Sequence, residues 1–127
     1  MPTANRQSGF TLIELMVVLA IVALLISIVT PQYAARITKA EETVLKEDLL
    51  VMRDALDKHL ADAGQYPGSL EELVTKRYLR SIPSDPITQS NTTWIAVRPS
   101  DPQKGGVADV QSGAKGVGSN GKPYVEW

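Results

Sequence analysis

The sequence predicts an α+β chain: a long N-terminal helix, apolar in its first half, packed against a small antiparallel β-sheet. Three observations carry that expectation. Phe10 to Val29 is an apolar run interrupted only by Thr11, Glu14 and Ser27. Beyond it, apolar residues recur at spacings of three and four as far as Leu60, the period of one face of a helix. The last third holds short β-prone segments between glycine- and proline-rich turns, which suits a small sheet.

The apolar run comes first in the chain. Twenty residues at about 1.5 Å rise span about 30 Å, the thickness of the hydrocarbon core of a bilayer. Arg6 stands before the run and no acid does, an asymmetry that places the N-terminus on the cytoplasmic side. Three readings are open. A cleaved signal peptide would show a shorter core and a small-residue cut site after it, whereas "SIVTPQYAARITKA" leads straight into a helical pattern. A plain anchor fits the length but leaves Glu14 unexplained, since a carboxylate in lipid is costly unless paired or protonated. The third reading places the cut before the run and keeps Glu14 in the mature chain.

After the run, Pro31 predicts a kink between about Ser27 and Pro31, with Ser27 and Thr30 able to loosen the ladder through local bonds. The helical pattern then resumes. Val44 or Leu45, Leu49, Met52, Leu56 and Leu60 form one apolar stripe. The other faces are charged, with Glu42–Lys46 and Asp54–Lys58 as solvated i,i+4 pairs. Gly64 is placed to end the helix by a left-handed cap. From Phe10 to Asp62 such a helix would be about 80 Å long. "GQYPG" is a turn, and Ser69 with Glu72 matches a capping box for a short helix from Leu70 to about Lys76. That helix buries Leu70, Leu73 and Val74. Thr93–Arg98 and Val107–Val110 are candidate strands, Asn120-Gly121 favours a tight turn, and "YVEW" is a third candidate strand.

The chain of 127 residues suits one small domain and one extra element. Its net charge of −1 gives no footprint for nucleic acid, and Lys104, Lys115 and Lys122 are scattered. Cysteine is absent, which is compatible with a reducing compartment or with an exported protein without disulfides. If the chain is exported, packing on the long helix, self-assembly or a metal must stabilise the small globular part. His59 is the single histidine and reads as a surface or packing residue. With no nucleophile–base arrangement and no phosphate loop between a strand and a helix, the sequence argues against an enzyme.

"SGFTLIELMVVLAIVALL" closely resembles the class III signal and N-terminal helix shared by type IV pilins and type II secretion pseudopilins. The matching residues are Gly9, Phe10, Thr11, Leu12, Ile13 and Glu14. "DAGQYPGSLEELV", "YLRSIPSDP" and the glycine-rich tail ending in tryptophan resemble the major pseudopilin, the G subunit, of type II secretion. The absence of cysteine favours the pseudopilin side, because type IV pilins usually carry a C-terminal disulfide loop.

The resemblance implies a type IV pilin-like fold and a structural role. Residues 1–9 would be a leader, 10–31 the membrane and filament-core half of the helix, 32–62 its amphipathic half, and 63–127 a globular periplasmic part. A prepilin peptidase would cut between Gly9 and Phe10 and methylate the new amine. Phe10, Glu14 and Pro31 would serve assembly, with Glu14 pairing with a neighbouring subunit's Phe10 amine and the helix melting near Val22 to Pro31. Implied partners are further copies of the chain in a helical filament, the inner-membrane assembly platform and minor pseudopilins. The filament would help push folded proteins through the outer membrane. A major or minor type IV pilin is the alternative, and an anchored periplasmic domain that does not polymerise is a third.

The resemblance also implies Ca2+ in the C-terminal loop. Asp109, Ser112, Ser119 and Asn120 are the candidate ligands. This tail holds fewer acids than the family's, and Lys115 and Lys122 oppose a cation. The competing reading is a glycine-rich hairpin loop held by the packing of Tyr124 and Trp127.

Overall fold

The structure, a computed structural model, describes residues 8–127. Arg6 and most of the expected leader lie outside the described residues, as do the side chains of residues 31–35 and 37. The expected role of Pro31 falls there. The chain divides into two compact units, Met1–Ile37 and Thr38–Trp127.

Helix α1 runs Leu12–Ala63. The back-bonds expected of Ser27 and Thr30 are present: Ser27 Oγ donates to the Leu24 carbonyl at 2.7 Å and Thr30 Oγ1 to that of Ile26 at 2.8 Å. They do not open the helix, and residues 22–31 are helical, so the expected melted stretch is not seen in this single chain. Each hydroxyl bonds a carbonyl of its own helix, a local bond that a helix can carry. At the other end, Gly64 takes φ 75° and donates its N–H to the Leu60 carbonyl at 2.9 Å. That left-handed closure suits glycine.

The second unit is built around the apolar stripe of α1. Leu45, Leu49, Met52 and Leu56 are buried, at the spacing read from the sequence. Ala55 joins them, whereas Leu60 is only half-buried and Val44 is exposed. Helix α2, Leu70–Thr75, lays Leu70 and Leu73 into the same core. Each large apolar side chain so buried contributes about 1.5–3 kcal/mol. The α2 cap departs from the reciprocal box. The Glu72 N–H reaches Ser69 Oγ at 3.4 Å, but the Glu72 carboxylate accepts from the N–H of Gly68.

The sheet has two short strands, β1 (Ile95–Val97) and β2 (Asp109–Gln111), paired antiparallel with Ala96 opposite Val110. The expected third strand, "YVEW", is instead a 3-10 turn, Tyr124–Glu126. Pro123 precedes it and has no N–H to give a ladder. The chain then curls so that the Trp127 N–H donates to the Tyr124 carbonyl and the two rings pack with centroids 5.2 Å apart. The Asn120-Gly121 turn forms as read: Gly121 has φ 80° and Gly118 N–H bonds the Lys122 carbonyl at 2.8 Å.

Candidate functional site

Two regions carry the residues singled out in the sequence. The first is the start of α1. Gly9 is exposed, and a side chain added there would meet nothing within 4 Å. Its backbone is not in the left-handed region, so nothing among the described residues demands glycine at this position. Phe10 is also exposed. Thr11 and Glu14 form a capping box across the first turn. The Glu14 N–H donates to Thr11 Oγ1 at 3.1 Å, and the Thr11 N–H reaches Glu14 Oε2 at 3.4 Å. This pattern, threonine followed three residues later by glutamate, was readable in the sequence. It gives Glu14 a local task, but a slight one. The second bond is long, and Oε1 has no partner among the described residues.

From Leu12 to Thr30 the helix is long and apolar enough to cross a membrane, with mean hydropathy 3.1 and none of it buried. Backbone polar groups in a helix are satisfied internally, as a bilayer requires. The chain is anchored in a membrane by this single pass. Glu14 sits at its N-terminal end, where the helix dipole favours a negative charge.

The second region is the C-terminal loop. The structure does not gather the four candidate metal ligands. Asp109 Oδ1 accepts from Arg53 Nε at 2.8 Å. Ser112 Oγ donates to Asp85 Oδ2. Ser119 donates both its N–H and its hydroxyl to Glu42. Asn120 Oδ1 accepts from the N–H of Lys122 in its own turn at 3.0 Å. Calcium takes roughly six to eight oxygens around one centre. Here each candidate is engaged by a different partner, and a guanidinium already neutralises Asp109. Among the described residues no three His, Cys, Asp or Glu side chains converge. The donor set does not fit the ion.

What organises the loop is a pair of α1 residues. Glu42, read from sequence as one half of a solvated pair with Lys46, is buried. It accepts from Ser119 N at 2.8 Å, from the Ser119 hydroxyl and from the Tyr124 hydroxyl at 2.9 Å. The Ser119 bonds hold its carboxyl below the ordinary carboxylate value against the opposing effect of burial, with Tyr124 and Lys46 adding to the lowering. Burial first, and then Glu42, push the Tyr124 hydroxyl up, so the shared proton belongs to the tyrosine. Lys46 lies 4.9 Å from the centre of the Trp127 ring, a cation–π arrangement. Arg53 is the second member. Besides Asp109 it donates to the main-chain oxygens of Val110 at 3.0 Å and Trp127 at 2.7 Å.

Two further buried polar groups are satisfied within the fold. His59 is buried rather than on the surface. Its Nδ1 lies 2.7 Å from the Gln65 carbonyl, so that nitrogen carries the proton, and Nε2 faces Lys76 Nζ at 3.3 Å. Asp85 is fully buried and accepts from the Ile87 and Thr88 N–H groups and from Ser112. The i,i+4 pair Asp54–Lys58 forms as read, at 2.8 Å.

Residues 4–30 match the prokaryotic N-terminal methylation motif. Over 98 residues the chain is 39% identical to the type II secretion system core protein G of Pseudomonas aeruginosa, covering 65% of this chain and 69% of that protein. With the protein of the same name from Vibrio cholerae it shares 31% identity over 141 residues, covering 94% and 93% of the two chains. The Escherichia coli protein of that name is 28% identical over 117 residues, with 92% and 81% covered. No solved structure matches the chain. The exposed apolar helix opening on Gly9, Phe10 and Glu14, the small two-stranded unit on its second half, and similarity along nearly the full length of both chains agree: the chain belongs to the type II secretion system core protein G family of pseudopilins.

Proposed function

We propose that this structural subunit polymerises from the inner membrane into a pseudopilus that helps move folded proteins through the outer membrane. A prepilin peptidase cuts between Gly9 and Phe10 and methylates the new amine. The N-terminus then lies on the cytoplasmic side and the unit Thr38–Trp127 in the periplasm, with the assembly platform and minor pseudopilins as partners. In the filament the Phe10 amine of one subunit pairs with Glu14 of the next.

The observation that carries this reading is the position of Glu14. It is exposed, has unused acceptor capacity, and is the single ionisable side chain in a membrane-length helix that buries nothing of its own. A positive end and a negative end on one helix make a heterologous contact. Repeated, such a contact builds an open helix rather than a closed ring. A carboxylate withdrawn from water needs a partner, and the amine created by the cut supplies one.

Gly9 supports the cut. The fold places no demand on this glycine, so the demand is assigned to an enzyme whose site admits no side chain. Gly9→Val is therefore expected to leave the rest of the fold intact and to stop processing. Intact-mass measurement of the membrane-extracted protein should show wild type beginning at a methylated Phe10 and the variant retaining residues 1–9. A variant trimmed as wild type would contradict the assignment.

A further inference from the structure

The C-terminal loop offers the wrong polarity for a cation. A calcium site presents oxygen lone pairs to a common centre. This loop turns hydrogens toward a carboxylate instead: the Ser119 N–H and O–H and the Tyr124 O–H all point at Glu42. Asn120, which could have supplied a carbonyl oxygen, uses it within its own turn. Glu42 lies on α1, a different element from the loop, and is 4% exposed.

Arg53 lies eleven residues further along the same helix. At 3.6 residues per turn that is close to three whole turns, so the two side chains leave the same face. Their charges are opposite and their tasks complementary: Glu42 accepts from the loop, and Arg53 donates to the Val110 and Trp127 main-chain oxygens that flank it. Gly118 completes the fit. A side chain there would collide with the Trp127 ring.

We infer that Glu42, together with Arg53, latches the C-terminal loop to the long helix in place of a metal ion, so that this chain holds its loop without calcium. The inference rests on the loop's own geometry and not on polymerisation. A chain that failed to form filaments would leave it standing.

Thermal unfolding of the full-length chain in detergent micelles, followed by circular dichroism, tests it. Wild type should melt at the same temperature in millimolar calcium and in excess chelator. Glu42→Gln keeps the shape and removes the charge on which these bonds depend. It should melt lower by about 5 °C or more, the shift expected in a unit of this size for the loss of one charge-assisted bond, and equally in both media. Ser119→Ala should melt lower by a smaller amount, also without regard to calcium, and it serves if Glu42→Gln does not fold.

Acidity supplies an independent readout. The titratable groups acting on Glu42 are Tyr124 from the loop side and Lys46 on its own helix, with Glu41 acting on Tyr124. Because the folded carboxyl titrates below its ordinary value of 4.5, the latch contributes fully above that pH. Its contribution is lost as pH falls through the folded value. The gap between wild type and Glu42→Gln should therefore be full at neutral pH and close in acid below pH 4.5. A rise of several degrees in the wild-type midpoint on adding calcium would overturn the inference. So would a Glu42→Gln variant that melts with wild type at neutral pH.

Discussion

Replacing Glu14 with valine is expected to leave the chain in the membrane fraction and to abolish filaments in cells that overproduce it. Insertion depends on the run Leu12–Thr30, whose mean hydropathy of 3.1 already includes the carboxylate; valine makes the run more apolar. Only the long bond from the Thr11 N–H to the carboxylate is lost; the Thr11 hydroxyl still accepts from the N–H at position 14, so the first turn loses less than the ~1 kcal/mol of a whole N-cap. That is too little to unseat a membrane helix. The lost pairing weighs more. Two unit charges about 4 Å apart, at an effective dielectric of about 20, attract by about 4 kcal/mol. One such contact is made for each subunit added, so its loss weakens every addition step by roughly a thousandfold. Filaments of normal length and abundance from Glu14→Val, seen by electron microscopy, would contradict the account.

The second large effect is expected in the globular unit. Leu56 is fully buried in the core, while Leu50, on the same helix, is 66% exposed. Leu56→Ala removes a large side chain from a packed site, which costs about 2–5 kcal/mol. A unit of about 90 residues has roughly 5–13 kcal/mol in total. The expected fall in melting temperature is about 10–30 °C. Leu50→Ala should shift it by only a few degrees in the detergent-solubilised subunit. Thermal unfolding of both variants checks the contrast, and equal losses would mean that the apolar stripe is not the core the fold places there.

That stripe was legible because its cause is local. Leu45, Leu49, Met52 and Leu56 announce one buried face by spacing alone, Gly64 marks the helix end, and Ser69 with Leu70 and Leu73 marks the short helix. Glu42 was not legible. Its spacing to Lys46 matches a solvated helix pair, and the residues that bury it lie 77 and 82 positions away. Asp85 and His59 share that cause in part: each has local main-chain partners, but Ser112 reaches Asp85 from 27 positions away and Lys76 faces His59 from 17. The final "YVEW" has the composition of a strand, yet a preceding proline and the packing of Trp127 on Tyr124 turned it into a 3-10 turn. The capping box of Thr11 and Glu14 is a different kind of case. The pattern is complete within four residues, at the start of a membrane-length run.

The candidate site divides along the same line. Gly9, Phe10 and Glu14 lie within six residues and are exposed; the roles proposed for them belong to a peptidase and a neighbouring subunit. Asp109, Ser112, Ser119 and Asn120 all carry side-chain oxygens. In a loop, however, an oxygen's role depends on which way the hydroxyl or amide is turned. Ser119 and Tyr124 are turned to donate.

The central claim is that cleavage before Phe10 makes an amine that pairs with the next subunit's Glu14. The chain contains a single phenylalanine, so nitrogen-15 phenylalanine labels the mature N-terminus alone. Filaments grown from a mixture of subunits, some carrying that label and others carrying carbon-13 glutamate, report only contacts between chains. Solid-state NMR of such mixed filaments should show a cross-peak between the Phe10 amine nitrogen and a glutamate carboxyl carbon, and Glu14→Gln subunits carrying the carbon label should lose it. A cross-peak found only when both labels sit on one chain would place the carboxylate on its own N-terminus and contradict the account.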